Sequence, residues 1–399
     1  MKKFLALVMA ALMMLTLFAA CGDKTEGDTT AVPTENNAVA GTASGTFKIG
    51  GIGPLTGGAA TYGVAVKNGA QIAIDEINAL GGSVKFEMQF EDDEHDAEKS
   101  VNAYNKLKDW GMQLLIGSVT TTPCIAVASE SYSDRIFEIT PSASSLDVID
   151  GKDNVFQVCF TDPNQGVASA DYIADNALAT KVAVIYKNDD AYSTGIYNKF
   201  AAEAAAKGLE VAYVGTFTTD TENDFSVQLG KAKEAGADLL FLPIYFTPAS
   251  LILQQANAMG YAPKFFGVDG MDGILGIKGF DTKLAEGVYL LTPFSADSTD
   301  DATVSFVTKY KELYNDIPNQ FAADAYDAVY TIYEAIQKAG VTSDMSTEEL
   351  CDALIPVMTQ IEVKGLTGTM KWQATGEVSK DPMAVIIKDG VYVGAKNAQ

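Results

Sequence analysis

Short apolar segments alternate with amphipathic segments along most of this chain, and this alternation constrains the fold more than any other feature. The apolar run KVAVIY at 181–186 has the length of a buried strand, and the alanine-rich segment 195–207 after it ends at Gly208. Strands that alternate with helices of about 10 to 15 residues form parallel sheets with helices on both faces. The sequence therefore predicts an α/β fold.

The alternation occurs in two separate series. The first series predicts strands at 47–53, 84–90, 114–116 and 136–139, with helices ending at Gly81 and spanning 97–110. The second series predicts strands at 181–186, 211–217, 238–243 and 264–268, with helices at 195–207, 224–235 and 248–259. A later helix at 321–339 and strands at 368–372 and 383–393 complete the pattern. Two series predict two doubly wound, Rossmann-like lobes with parallel sheets.

Charge and residue usage exclude several classes of function. The 399 residues include 52 acidic and 28 basic side chains, a formal net charge of −24, which disfavours binding to nucleic acid. The chain has one histidine, His95, and one arginine, Arg135, too few for a histidine metal cage or a guanidinium cluster. The glycines near 51–57 lack the spacing of a dinucleotide fingerprint. We therefore expect neither a metal nor a cofactor.

The N-terminus has the pattern of an export signal. Two lysines precede an apolar run, and Leu17 to Cys21 resembles a bacterial lipobox. We expect residues 1–20 to be a signal peptide and Cys21 to carry the lipid, with 21–46 as a flexible tether. An uncleaved anchor helix is the alternative. Either arrangement places the folded part on the extracellular or periplasmic face of the cell membrane.

Three cysteines remain after Cys21, namely Cys124, Cys159 and Cys351. An odd number in an oxidising compartment leaves at least one free thiol. Buried small hydrophobic side chains are one interpretation and a disulfide between two of them is the other.

Hydroxyl-rich loops follow two strands of the first series. The loops 117–123 and 140–145 carry serines, threonines and, at the start of a helix, free backbone N–H groups. Such groups bind a carboxylate without an arginine. In the second series Asp269 follows a strand and could accept an ammonium group, while Tyr192 and Tyr245 could form the wall of an apolar pocket. Ordinary capping and packing remain alternatives for each of these residues.

Several segments together resemble the leucine/isoleucine/valine-binding proteins, the substrate-binding components of ABC importers. The matching segments are Gly53–Gly57, Ile77–Gly82, Leu115–Ser118, Ile139–Pro141, Thr161–Gly166 and Gly267–Gly270. The resemblance covers roughly 47–395 and implies the type I periplasmic-binding fold. It also implies a first lobe formed by 47–160 with 294–368 and a second formed by 161–293 with 369–399. The implied hinge has three crossovers, near 160–162, 291–294 and 368–372.

The same resemblance implies a role for individual residues. The ligand carboxylate would be held by Thr121, Ser142 and Ser144, and the ammonium by Asp269, where the prototypes carry a glutamate. The implied side-chain pocket consists of Tyr62, Tyr192, Tyr245 and Phe321. The positions of a disulfide in the prototypes correspond to His95 and Thr120, so that this disulfide is absent here.

These patterns predict a membrane-anchored receptor that closes on a small amino acid, apolar or branched-chain, and delivers it to an ABC permease. Urea or short amides are the alternative ligands, and a ligand-sensing module for a signalling partner is the alternative role. An exported enzyme that uses His95 as a base is a further possibility, but the surrounding acidic loop is typical of a solvated turn. We therefore predict a binding protein and not an enzyme.

Overall fold

The computed structural model describes residues 42–395. The predicted signal peptide at 1–20, the lipid-bearing Cys21 and the predicted tether as far as residue 41 lie outside the described residues. The first strand begins at Gly45, two residues before its predicted start. Within the described part, no helix combines the length and the apolar character that crossing a bilayer needs.

The first sheet contains five parallel strands in the order β2-β1-β3-β4-β5. These strands are β1 (Gly45–Gly53), β2 (Val84–Asp92), β3 (Leu114–Ile116), β4 (Phe137–Thr140) and β5 (Val155–Gln157). Strands β3, β4 and β5 are fully buried, as expected when helices cover both faces of a parallel sheet.

The second sheet contains seven strands in the order β14-β13-β10-β9-β8-β6-β7. Its strands are β6 (Lys181–Lys187), β7 (Glu210–Phe217), β8 (Leu239–Leu242), β9 (Lys264–Gly267), β10 (Tyr289–Thr292), β13 (Met383–Lys388) and β14 (Val391–Gly394). Strands β6 to β10 are parallel and repeat the order of the first sheet, whereas β13 and β14 are antiparallel. A small antiparallel pair, β11 (Val363–Gly365) with β12 (Gly368–Met370), lies apart from both.

Ten α-helices of the described part connect and cover these sheets. They are α1 (Ala60–Ala79), α2 (Ala97–Trp110), α3 (Thr121–Asp134), α4 (Asp162–Asp175), α5 (Ala191–Lys207), α6 (Ser226–Glu234), α7 (Phe246–Ala258), α8 (Asp301–Tyr314), α9 (Gln320–Ala339) and α10 (Thr347–Met358). Helix α9 packs on α1 and on β4 of the first sheet, although it follows the second sheet in the chain.

Local capping signals define several helix ends. The Asp96 side chain accepts a hydrogen bond from the Lys99 amide and begins α2, which ends at Gly111 with a left-handed backbone.

The predicted strand at 383–393 is instead a hairpin, because Asp389 and Gly390 both have positive φ and form its two-residue turn. The two-lobed α/β fold is confirmed, with two antiparallel strands added at one edge.

Candidate functional site

A small cavity lies between loops that leave the carboxyl ends of strands in both sheets. The empty space between its lining residues, including space that is open to solvent, is about 240 Å³. Its lining consists of Tyr62, Val119, Thr120, Thr121, Ser142, Tyr192, Tyr245, Asp269, Gly270 and Phe321. The carboxyl ends of parallel strands are the usual ligand sites of open α/β sheets. Seven of the eight residues that the sequence predicted for ligand contact therefore meet around one cavity.

Asp269 supplies the cavity with a buried carboxylate. The Tyr192 hydroxyl donates to Asp269 Oδ1 at 2.6 Å, and the Asp269 amide donates to Gln165 Oε1 at 3.3 Å. Burial raises the pKa of Asp269 to about 7, although the hydrogen bond from Tyr192 opposes this shift. None of the ten lining residues is basic, so an ammonium group on a ligand would be the natural counter-ion.

Aromatic rings form the other walls of the cavity. The ring of Tyr245 stacks on Tyr192 with centroids 4.7 Å apart, and Tyr62 makes edge contacts with Phe321 at 4.7 Å. Tyr62 also makes an edge contact with Phe246 at 4.8 Å. These rings offer an apolar surface for an aliphatic or small aromatic group.

The start of α3 supplies hydrogen-bond donors from the first sheet, whereas Asp269 comes from the second sheet. Thr121 is the first residue of α3 and lines the cavity, and Thr120 before it has an extended backbone. A helix start carries unpaired N–H groups and a partial positive charge, both favourable for a carboxylate. Thr121 therefore lies where the sequence expected a carboxylate ligand to be held.

The two predicted serines differ from that expectation. Ser142 lines the cavity, but its hydroxyl donates to the Val119 carbonyl at 2.6 Å, so its single proton is already used. Ser144 is not among the lining residues; it is fully buried, and its hydroxyl lies beside the Asp162 carboxyl. A direct bond from Ser144 to a ligand in this cavity is therefore not supported.

His95 lies near the cavity without lining it. Its Nδ1 is 2.8 Å from Thr120 Oγ1, and its ring contacts the edge of Tyr245 at 5.5 Å. The two positions that the resemblance aligned with a disulfide are thus in side-chain contact. Burial lowers the pKa of His95, with the Lys187 charge acting in the same direction.

Cys124, Cys159 and Cys351 are buried free thiols in the described part of the chain.

Some residues of the site were not singled out in the sequence. Val119, Thr120 and Gly270 lie in loops that the sequence had selected, but only the structure shows which loop residues face inward. Gln165 and Gln320 approach Asp269 from α4 and α9, since the Gln320 side chain donates to the Asp269 carbonyl at 3.2 Å. Strand-end position was the available signal for the loops. Gln165 lies in the matching segment Thr161–Gly166 but was given no role there, and Gln320 had no signal.

The two sheets, the three chain crossings between them and the enclosed polar cavity together define a ligand-binding protein. The chain belongs to a known family of this class: residues 46–388 match the family described as periplasmic binding protein.

Relatives of known name agree with this assignment. The chain is 30% identical over 355 residues to the Leu/Ile/Val-binding protein homolog 3 of Brucella melitensis, covering 87% of this chain and 92% of that one. It is 28% identical to the leucine-, isoleucine-, valine-, threonine-, and alanine-binding protein of Pseudomonas aeruginosa, with coverage of 78% and 83%.

Solved structures show the same architecture. The leucine binding protein LivK of Thermotoga maritima is 28% identical, with a TM-score of 0.78 and coverage of 87% and 97%. The substrate binding protein LivJ of Streptococcus pneumoniae, solved with isoleucine, is 26% identical, with a TM-score of 0.79 and coverage of 87% and 98%. The chain therefore shares its family and fold with substrate-binding proteins, which are not enzymes.

Proposed function

We propose that this protein captures an aliphatic α-amino acid in the cavity and delivers it to the permease of an ABC importer. The observation that carries the proposal is the buried Asp269 carboxylate, which has only neutral hydrogen-bond partners in a cavity without basic residues. A buried carboxylate whose pKa has risen to about 7 is stabilised in its charged form when a cation comes to lie beside it.

Each end of an α-amino acid has a counterpart in the proposed site. The ammonium group binds Asp269, and the carboxylate binds the Thr121 hydroxyl and the N–H groups at the start of α3. The side chain packs among the rings of Tyr62, Tyr245 and Phe321. The small space between the lining residues fits a small amino acid better than a peptide. The names of the relatives, which specify leucine, isoleucine and valine, support this class.

Capture requires the loops of the two sheets to separate and close again. We assign 47–160 with 294–368 to one lobe and 161–293 with 369–399 to the other, with the three crossings near 160–162, 291–294 and 368–372 as the hinge. Closure removes water from both charged ends of the ligand, which strengthens their interactions with the protein. The closed form is the one that docks on the permease.

The N-terminal sequence supports anchoring outside the cytoplasm. Residues 1–20 have the composition of a signal peptide, and the segment Leu17 to Cys21 resembles a lipobox. Two acyl chains on Cys21 would hold the protein on the membrane surface, because one chain alone gives only marginal binding. The segment after Cys21 then acts as the tether that lets the folded part reach the permease.

A ligand panel tests the proposed function. Purified protein is heated with leucine, isoleucine, valine, alanine or threonine, and separately with urea, acetamide or benzoate. A ligand at a thousand times its Kd should add about 4 kcal/mol to the free energy of unfolding. We expect an upward shift of Tm with at least one aliphatic amino acid. A shift with urea, acetamide or benzoate alone would reject the proposed ligand class, and a flat panel would reject the transport role.

A further inference from the structure

The hydroxyl of Tyr62 forms hydrogen bonds to two loops of the other sheet. Tyr62 lies on α1, directly after β1 of the first sheet. Its hydroxyl donates to the Gly270 carbonyl after β9 and accepts from the Phe246 amide at 3.1 Å, at the start of α7. Tyr62 is fully buried, so these bonds are shielded from water. One side chain therefore joins the first sheet to two of the second-sheet segments that border the cavity, those after β8 and β9.

Gly270 connects Tyr62 to the carboxylate of the site. The Gly270 amide donates to the Tyr192 hydroxyl at 2.9 Å, and that hydroxyl donates to Asp269 Oδ1 at 2.6 Å. Gly270 is thus held at its carbonyl by Tyr62 and at its amide by Tyr192. A side chain at position 270 would not fit, since a Cβ there would lie 2.5 Å from the Tyr192 hydroxyl.

We propose that Tyr62 is a positioning residue for ligand capture, whose hydroxyl fixes Gly270 and thereby directs Tyr192 and the Asp269 carboxylate toward the ligand ammonium. This inference rests on the proposed function, in which Asp269 binds that ammonium. Tyr62 acts through hydrogen bonds to the protein itself, in addition to any contact of its ring with the ligand. Its effect therefore extends to every ligand that carries an ammonium group.

The surroundings of Asp269 make this positioning consequential. Burial raises the pKa of Asp269, while the Tyr192 hydroxyl, the Gly270 amide and the Gln165 side chain lower it. The other ionisable groups near Asp269 are Tyr62 on α1, Tyr245 at the start of α7, Cys159, Asp162 on α4, and Asp324 on α9 with its partner Lys380. Among these groups only Lys380 is cationic, and Asp324 already pairs with it. The bonds from Tyr192 and Gly270 therefore favour the ionised form of Asp269.

A second contact joins the loop before α1 to the start of α7, and it makes the Tyr62 hydroxyl testable by itself. Thr247 Oγ1 donates to the Gly58 carbonyl at 2.9 Å, independently of Tyr62. The ring of Tyr62 keeps its contacts with Phe246 and Phe321 when the hydroxyl is removed. The variant Tyr62→Phe should therefore fold and retain the contact between the loops.

The experiment compares Tyr62→Phe with Tyr261→Phe. The Tyr261 hydroxyl donates to the Ala237 carbonyl at 2.8 Å, away from the cavity, so this control also loses one buried tyrosine bond. Leucine binding is measured by calorimetry between pH 5.5 and 8.5. Separately, the Asp269 carboxyl is titrated by ¹³C NMR with 4-methylpentanoate bound, which brings the two sheets together without adding an ammonium group, and its signal is assigned with Asp269→Asn.

For Tyr62→Phe we expect leucine affinity about tenfold weaker at pH 8, equal to about 1.4 kcal/mol. The loss of affinity on acidification and the Asp269 titration should both move to higher pH, and Tyr261→Phe should match the wild type. An Asp269 titration unchanged in Tyr62→Phe would overturn the positioning role, whatever happens to affinity. A shifted titration in a protein that binds none of the amino acids would retain this role and reject the proposed function.

Discussion

Glu138 shows that a buried carboxyl in this protein need not belong to the ligand site. It lies on β4 and is fully buried; the Ser131 hydroxyl donates to one oxygen at 2.5 Å and the Cys124 thiol to the other at 3.5 Å. Burial raises the pKa of Glu138 to about 8, because the charged carboxylate loses its hydration and no cation of the described residues pairs with it. The folded protein therefore binds a proton at Glu138 that the unfolded chain releases near pH 4.5.

This difference predicts a stability change that depends on pH. A carboxyl whose pKa is higher in the folded state makes the free energy of unfolding fall as pH rises, here between about 4.5 and 8. We expect Glu138→Gln to be close to neutral at pH 4.5 and to stabilise by roughly 1–3 kcal/mol at pH 8. Urea unfolding at both values, with Glu98→Gln on exposed α2 as the control, checks this. An equal effect of Glu138→Gln at the two values would refute the assigned cause.

Part of the site was predictable at this scale. The loop 117–123 and Asp269 follow strands, and strand ends meet at one edge of a sheet, so position in the pattern was enough to select them. Thr121 within that loop was selected by the resemblance. Ser144 was expected at the cavity from the resemblance but is not among the lining residues, and neither pattern nor resemblance says which way a loop side chain turns. The bond between Tyr62 and Gly270 joins residues 208 positions apart, and no local pattern records it.

At the scale of elements, the segment between β12 and β13 is held to α9 by a buried ion pair. Lys380 donates to Asp324 Oδ1 at 2.8 Å and to Thr367 Oγ1 at 2.5 Å, and both charged side chains are at most 2% exposed. Removing one partner of such a pair leaves an uncompensated buried charge, which costs about 3–5 kcal/mol. The pair therefore fixes one of the three crossings between the sheets.

We expect Lys380→Met to destabilise the protein by about 3–5 kcal/mol and the added change Asp324→Leu to recover much of that loss. Lys371→Met is the matched control from the same segment, because Lys371 pairs with Glu362 in an exposed position and should cost less than about 1 kcal/mol. Chemical unfolding of the wild-type protein and the three variants measures these differences. A double variant as unstable as Lys380→Met would show that the unpaired charge of Asp324 is not the cause.

Element boundaries were predicted best where local signals define them. Helix α2 was predicted at 97–110, as observed, because Asp96 and Gly111 mark its two ends. Strand β10 was not singled out, since its four residues follow a turn-rich stretch and only their place beside β9 makes them a strand. The hairpin of β13 and β14 was merged into one segment, although Asp389-Gly390 is a typical turn sequence.

At the scale of the whole molecule, two open sheets with matching strand order place their carboxyl ends around one cavity. The order of β6 to β10 repeats that of β1 to β5, and helices α8 to α10 return the chain to the first sheet. Each sheet then contributes part of the site, with Thr121 on one side and Asp269 on the other. This division explains why closure of the two parts and binding of the ligand would be coupled.

The most direct test of this account compares L-leucine with 4-methylpentanoate, which has the same carboxylate and side chain but no ammonium. Calorimetry on the wild-type protein should show leucine binding at least about 100-fold tighter, since breaking a buried charge pair costs roughly 2–5 kcal/mol. In Asp269→Asn this preference should disappear. Equal affinities of the wild-type protein for the two compounds, or a preference for leucine that survives in Asp269→Asn, would contradict the assignment of Asp269 as the ammonium site.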